Sequence, residues 1–190
     1  MTLLILGLGL WWAGHLFPVY LPDARAAAVA RLGQGPYKGL FTLVALGAIA
    51  LMVIGYRQAD YIAVWTPPGW AMHLNNLMMV AAVFLIEAKH FDSPVRHHIR
   101  HPMFTAVKIW AVAHLLVNGD LASILLFGGL LAWAVVALIG TNRRDREWTR
   151  PGKGTLAGLM KQGVLAALIF GAIVLVHSFV LGVYTFPQGG

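Results

Sequence analysis

The sequence predicts an all-α, polytopic membrane helix bundle of about six transmembrane helices, and three observations carry that expectation. Of its 190 residues, 59% are hydrophobic and only 11% are charged, and the mean hydropathy is +0.73. Soluble domains carry about 25% charged residues, so a water-exposed surface cannot be assembled from this composition. The apolar residues also fall into runs close to the roughly 20 residues that cross a bilayer as helix. Finally, the cations lie between those runs, on alternate sides of the chain, and no segment is long enough for a separate soluble domain. One membrane-embedded unit over 1–190 is the expectation.

The runs fall at about 2–20, 39–55, 72–88, 103–117, 121–140 and 163–184. The first, MTLLILGLGLWWAGHLFPVYL, has no basic residue ahead of it, unlike a cleaved signal peptide, and reads as a retained helix. Its Gly7, Gly9 and Gly14 would let neighbouring helices approach closely. The connection 21–38 holds Arg25, Arg31 and Lys38. The second run ends at Arg57, the lone cation of its connection. The third reaches Glu87 and is followed by a basic stretch with Lys89, Arg96 and Arg100. The fourth opens on His101-Pro102, with proline suited to the first helical position. Only Asn118-Gly119-Asp120 separates it from the fifth. Arg143, Arg144, Arg146, Arg150, Lys153 and Lys161 follow before the sixth, and Pro187-Gln188-Gly189-Gly190 reads as a frayed end.

Twelve cations in three connections against one in the others is a positive-inside asymmetry. With six spans it places both termini on the extracytoplasmic side of a bacterial inner (cytoplasmic) membrane. The net charge of +7 is thus assigned to the cytoplasmic face and its anionic lipids, and no nucleic-acid partner is expected. With no cysteine, disulfides, iron–sulfur ligation and thiolate nucleophiles are excluded. No P-loop, G-x-S-x-G or H-E-x-x-H occurs. Of seven acidic residues only Glu87 lies within an apolar run, too little for a two-carboxylate hydrolytic site.

Histidine and one lysine remain as the chemical material. Lys108 and His114 fall inside an apolar run, where ionisable groups face a bundle interior, a cavity or a cofactor. Lys108 either pairs with Glu87 or contacts a propionate or substrate headgroup. His90, His97 and His98 read as loop residues, and His101 as a helix-start cap. His15, His73, His114 and His177 lie within or at the edge of spans. Two such histidines on different helices can hold a haem iron axially. Leu8, Trp11 and Trp12 share a helical face with His15, as Val107, Trp110 and Ala111 do with His114. Ala111 would leave room for a porphyrin face, and Lys108, Arg100, His101 and Arg31 are candidate contacts for its propionates or a headgroup.

The stretch RHPMFTAVKIWAVAHLLVNGDLASILLFGGLLAWAV resembles the signature of the NnrU family of bacterial membrane proteins. The resemblance extends back through the helix of His15, Arg31 and PYKGLFTLVALGAIALMVIGY, over about residues 1–145. It is also similar to the plant and cyanobacterial 15-cis-zeta-carotene isomerase, an integral membrane haem b protein. What the resemblance implies is haem b held by His15 and His114, a lipophilic substrate, and either cis–trans isomerisation or a role in nitrite and nitric oxide metabolism. The isomerase carries a cysteine where this chain has Ala111, so a ligand exchange to cysteine is ruled out here. Helix depth pulls the other way. His15 lies near the cytoplasmic end of its span and His114 near the extracytoplasmic end of its own, which keeps His73 in reserve as partner. The Arg100-His101-Pro102 start also resembles S-adenosylmethionine-dependent membrane methyltransferases. Their paired glutamates are missing, however, and only Asn142-Arg143-Arg144-Asp145-Arg146-Glu147 stands in the comparable place. A non-catalytic assembly or sensor subunit is the third reading.

Overall fold

A computed structural model describes residues 1–179, 182, 183 and 185. The expected frayed end at 187–190 lies outside the described residues. Helix dominates, in the order α1 (Thr2–Tyr20), α2 (Pro22–Leu32), α3 (Gln34–Arg57), α4 (Ala71–Ile86), a one-turn 3-10 helix (Glu87–His90), α5 (Val95–His98), α6 (Pro102–Val117), α7 (Leu121–Arg144) and α8 (Leu156–Phe179). Five helical stretches, the third of them including the 3-10 turn, are long and apolar enough to cross a membrane; α6, at 16 residues, is shorter. Their outward faces are apolar, with Leu43 68% and Leu168 67% exposed, as expected where lipid replaces water as the solvent.

Several details differ from the sequence expectation, among them the start of α3 at Gln34 and the end of α7 at Arg144. The connection 21–38 contains α2, because Pro22 occupies its first turn and an alanine-rich stretch continues it. It ends where Gly33 takes φ 86°, a left-handed conformation open to glycine. The last span starts at Leu156, seven residues early. Gly154, at φ 70°, precedes it, and the Thr155 hydroxyl accepts from the Gly158 N–H at 3.0 Å, capping the helix. His101 does not cap α6 through its ring. Its carbonyl accepts from the Thr105 N–H at 3.1 Å and the Thr105 hydroxyl at 3.2 Å.

The chain forms two compact units. The first, Met1–Trp65 with Asp120–Arg146, is built on α1, α2, α3 and α7. α1 packs on α3 and α7, and Leu4, Leu8, Met52 and Ala122 form its buried cluster. Gly7 is buried where α1 meets the backbone of Met52 and Ala48, the close approach that small residues permit between membrane helices. At the start of α7 the buried Asp120 accepts from the Ser123 N–H at 2.9 Å and the Ser123 hydroxyl at 2.5 Å. Tyr56 of α3 shares a 2.9 Å hydrogen bond with that hydroxyl. A carboxylate buried in this way is tolerable because its oxygens are satisfied.

The second unit, Thr66–Gly119 with the residues from Glu147, is built on α4, α6 and α8. α4 packs on both α6 and α8. Gln162, fully buried on α8, donates to the Phe84 carbonyl at 2.7 Å and pairs with the Ser93 hydroxyl. The Asp92 carbonyl accepts from the Thr155 N–H at 2.9 Å. The stretch after α4 is therefore fastened to the first turns of α8 through an amide side chain that hydrocarbon alone could not satisfy.

Candidate functional site

In the first unit the chemistry gathers at His15, five residues before the C-terminal end of α1. The ring Nδ1 lies 3.0 Å from the Trp11 carbonyl one turn back. A carbonyl only accepts, so Nδ1 carries the proton and the acceptor lone pair of the neutral ring is on Nε2. Trp11 stacks on the imidazole with ring centroids 3.8 Å apart. Phe41 of α3 and Trp133 of α7 present edges at 5.1 and 5.3 Å. The indole N–H of Trp12 donates to the Gly129 carbonyl at 3.1 Å, whereas the buried N–H of Trp11 makes no hydrogen bond. Such a donor is costly without an acceptor. Arg31 belongs to the same unit but sits exposed in the last turn of α2.

In the second unit His114 lies three residues before the end of α6. It repeats the arrangement of His15: Nδ1 at 2.9 Å from the Trp110 carbonyl, with the Trp110 ring at 5.0 Å. Asn118 donates to the His114 carbonyl at 2.8 Å and so fixes the end of the helix. The remaining α6 candidates are spread along the helix. Lys108 lies about 9 Å from His114 along the axis and about a third of a turn round it, and His101 about 20 Å away at the opposite end. Arg100 donates to the Glu147 carbonyl at 3.2 Å. Ala111, expected to leave room, is fully buried.

The pairing of Lys108 with Glu87 is not made; among the described residues the ion pair is Arg144–Asp145 at 2.8 Å. Lys108 is half-buried on α6 and makes no hydrogen bond among the described residues. His73, the reserve ligand, is exposed in the first turn of α4. His177 on α8 places Nδ1 2.9 Å from the Ile173 carbonyl. Among the described residues no three His, Asp or Glu side chains converge on a metal ion, so a site built wholly from protein ligands is not present there. Sequence reasoning missed Phe41 and Trp133. Both are brought to His15 by helix packing, which spacing within α1 could not reveal.

The protein-family comparison decides the assignment. The NnrU protein family matches residues 3–185, nearly the whole chain. The chain belongs to the NnrU family. No curated protein and no solved structure matches it. As an NnrU protein it is a multi-pass membrane protein by the length and apolar character of its helices. Its two histidine niches each hold one imidazole by the same backbone device.

Proposed function

We propose that this NnrU protein binds haem b in the bacterial cytoplasmic membrane, with His15 of the first unit and His114 of the second as the candidate imidazole ligands, each within its own unit. The observation that carries the proposal is a fixed tautomer, which His177 shares, joined at these two rings to aromatic side chains. In each, an Nδ1–H is held by the carbonyl one turn earlier, the orientation that metal-ligating histidines take from their outer shell. The donor chemistry fits an iron porphyrin, which needs one or two axial imidazoles and an apolar, aromatic surround instead of a cage of carboxylates. Trp11, Phe41 and Trp133 supply that surround at His15, and Trp110 contributes at His114. The unpaired Trp11 N–H is a donor for a propionate or a substrate oxygen. Each ring is assigned on the chemistry of its own unit.

When bound, haem supplies one-electron or Lewis-acid chemistry, suited to isomerising a lipophilic substrate or to nitrite and nitric oxide metabolism. The residues do the rest: the two carbonyls hold the imidazole protons, the aromatic rings exclude water, and Lys108 offers a cation within hydrocarbon. The basic connections face the cytoplasm in this reading.

The test is an absorption spectrum of detergent-purified protein expressed with haem supplied, oxidised and dithionite-reduced, with a pyridine haemochrome assay. Sharp reduced α and β bands that disappear in both His15→Ala and His114→Ala, and persist in His177→Ala, are expected. A colourless, folded protein would sink the proposal. Bound S-adenosylmethionine in its place would point to methyl transfer.

A further inference from the structure

The side of α8 away from the buried Gln162 carries a shallow groove of about 460 Å³. Phe91, Met160, Lys161, Val164, Leu165 and Leu168 line it. Every lining side chain is apolar except Lys161, which is exposed and makes no ion pair or hydrogen bond among the described residues. A second groove of similar volume lies between α4 and α8, lined by Leu77, Phe84, Ala166 and Phe170 among others, but it has no charged residue. Position along the helix separates the two. Lys161 stands five residues inside α8, roughly 7–8 Å from its first residue. An ammonium at that depth is disfavoured in hydrocarbon unless it reaches a polar or anionic group.

The placement is enforced. Gln162 is held by the Phe84 carbonyl and the Ser93 hydroxyl, and the Asp92 carbonyl accepts from the Thr155 N–H. These bonds fix the rotation of α8. The neighbouring residue, about 100° round the helix, must then turn its side chain outward. They also fix the stretch carrying Phe91, which forms the far wall. The groove thus has a positive end and an apolar run of about two turns, from Met160 to Leu168.

We propose that this groove is a binding site for an anionic phospholipid, with its acyl chain along Val164, Leu165 and Leu168 and its phosphate on Lys161. Charge complementarity selects the occupant. The same unit presents Lys89, Arg96 and Lys153 as further exposed cations near the fastened end of α8, so a zwitterionic lipid would gain less. The apolar lining selects a lipid over free phosphate. The site is independent of the haem proposal, since it uses neither histidine niche.

The experiment is native mass spectrometry of the full-length protein in detergent, titrated with phosphatidylglycerol or with phosphatidylcholine of the same chains, and with glycerol phosphate. Phosphatidylglycerol should bind in preference to phosphatidylcholine, and glycerol phosphate should not be retained. Lys161→Gln should weaken phosphatidylglycerol about five-fold, the worth of one basic residue at an anionic surface. Lys153→Gln, outside the groove, should weaken it clearly less than Lys161→Gln does. Leu168→Trp, which fills the apolar run without altering charge, should also reduce binding and stands in if Lys161→Gln fails to fold. Equal losses in the two lysine variants, no headgroup preference, or full binding by Leu168→Trp would each overturn the site.

Discussion

Replacing Gly7 by alanine isolates the contact on which the first unit is built. A Cβ at Gly7 would lie 2.7 Å from the Met52 nitrogen, 2.8 Å from the Ala48 carbonyl oxygen and 2.8 Å from the Met52 Cγ. Ordinary contact begins near 3.4 Å, so α1 and α3 must part by roughly 0.7 Å, the difference between 3.4 and 2.7 Å. Two of the three obstructing atoms are backbone and cannot swing aside. Overpacking of this kind costs about 1–3 kcal/mol. Alanine is also a better helix former than glycine by about 1 kcal/mol, which would mask part of the loss. Gly9 supplies the control: it lies on the same helix and meets nothing within 4 Å. The propensity gain therefore cancels when Gly7→Ala is compared with Gly9→Ala.

The expected difference is the whole overpacking term, about 1–3 kcal/mol. That corresponds to roughly a five- to 150-fold change in the folded-to-unfolded ratio. Reversible unfolding by sodium dodecyl sulfate in mixed micelles, followed by tryptophan fluorescence, would measure it. Equal midpoints for the two variants would refute the reasoning, because the helices would then have room the structure denies them.

Two further outcomes follow from the buried polar groups. Gln162→Leu should destabilise the protein by about 1–3 kcal/mol, the cost of stranding buried partners, here the Ser93 hydroxyl and the Phe84 carbonyl. Hydrogen exchange should show faster opening confined to 87–98 and the first turns of α8; a uniform change would contradict a local clasp. Asp120→Ala removes the cap of α7 and should cost about 0.5–2 kcal/mol, with Asp120→Asn recovering most of it. Equal loss in both variants, read from the same unfolding midpoints, would show that the charge matters and the cap does not.

What was legible in the sequence follows from the range of the interactions. Span positions came through because apolar length is a local property, and α1 and α7 begin where the hydropathy placed them. The start of α8 was misplaced for a physical reason. Lys161 reads as a loop cation by charge alone, yet a lysine can lie inside a membrane helix when its ammonium reaches outward. The helix start is set by Gly154 and Thr155, and their part depends on Asp92 more than sixty residues away. The Lys108–Glu87 pair failed similarly. Both groups belong to neighbouring helices of one unit, but helix packing alone does not fix which way either side chain turns.

The same distinction runs through the histidine niches. Trp11 lies four residues before His15 and Trp110 four before His114, so helical geometry alone brings each pair onto one face, and the carbonyl that holds each Nδ1 belongs to that same tryptophan. This part of the site is written into W-x-x-x-H and was readable. The edges of Phe41 and Trp133 around His15 are tertiary, contributed by α3 and α7. They change the meaning of the site: a histidine beside one tryptophan is ordinary packing, whereas one enclosed by three aromatic rings beside an unpaired buried indole N–H has few structural reasons to exist. Trp11→Phe separates the two meanings. It keeps an aromatic ring beside His15 and removes the donor, together with the part of the indole that packs on the core cluster and Trp133. If the niche is packing, stability should fall modestly from the lost indole contacts and haem content should not move beyond that loss. If the donor serves a ligand, haem retention should fall several-fold more than the measured loss of stability accounts for, a combination that no purely structural role for Trp11 produces.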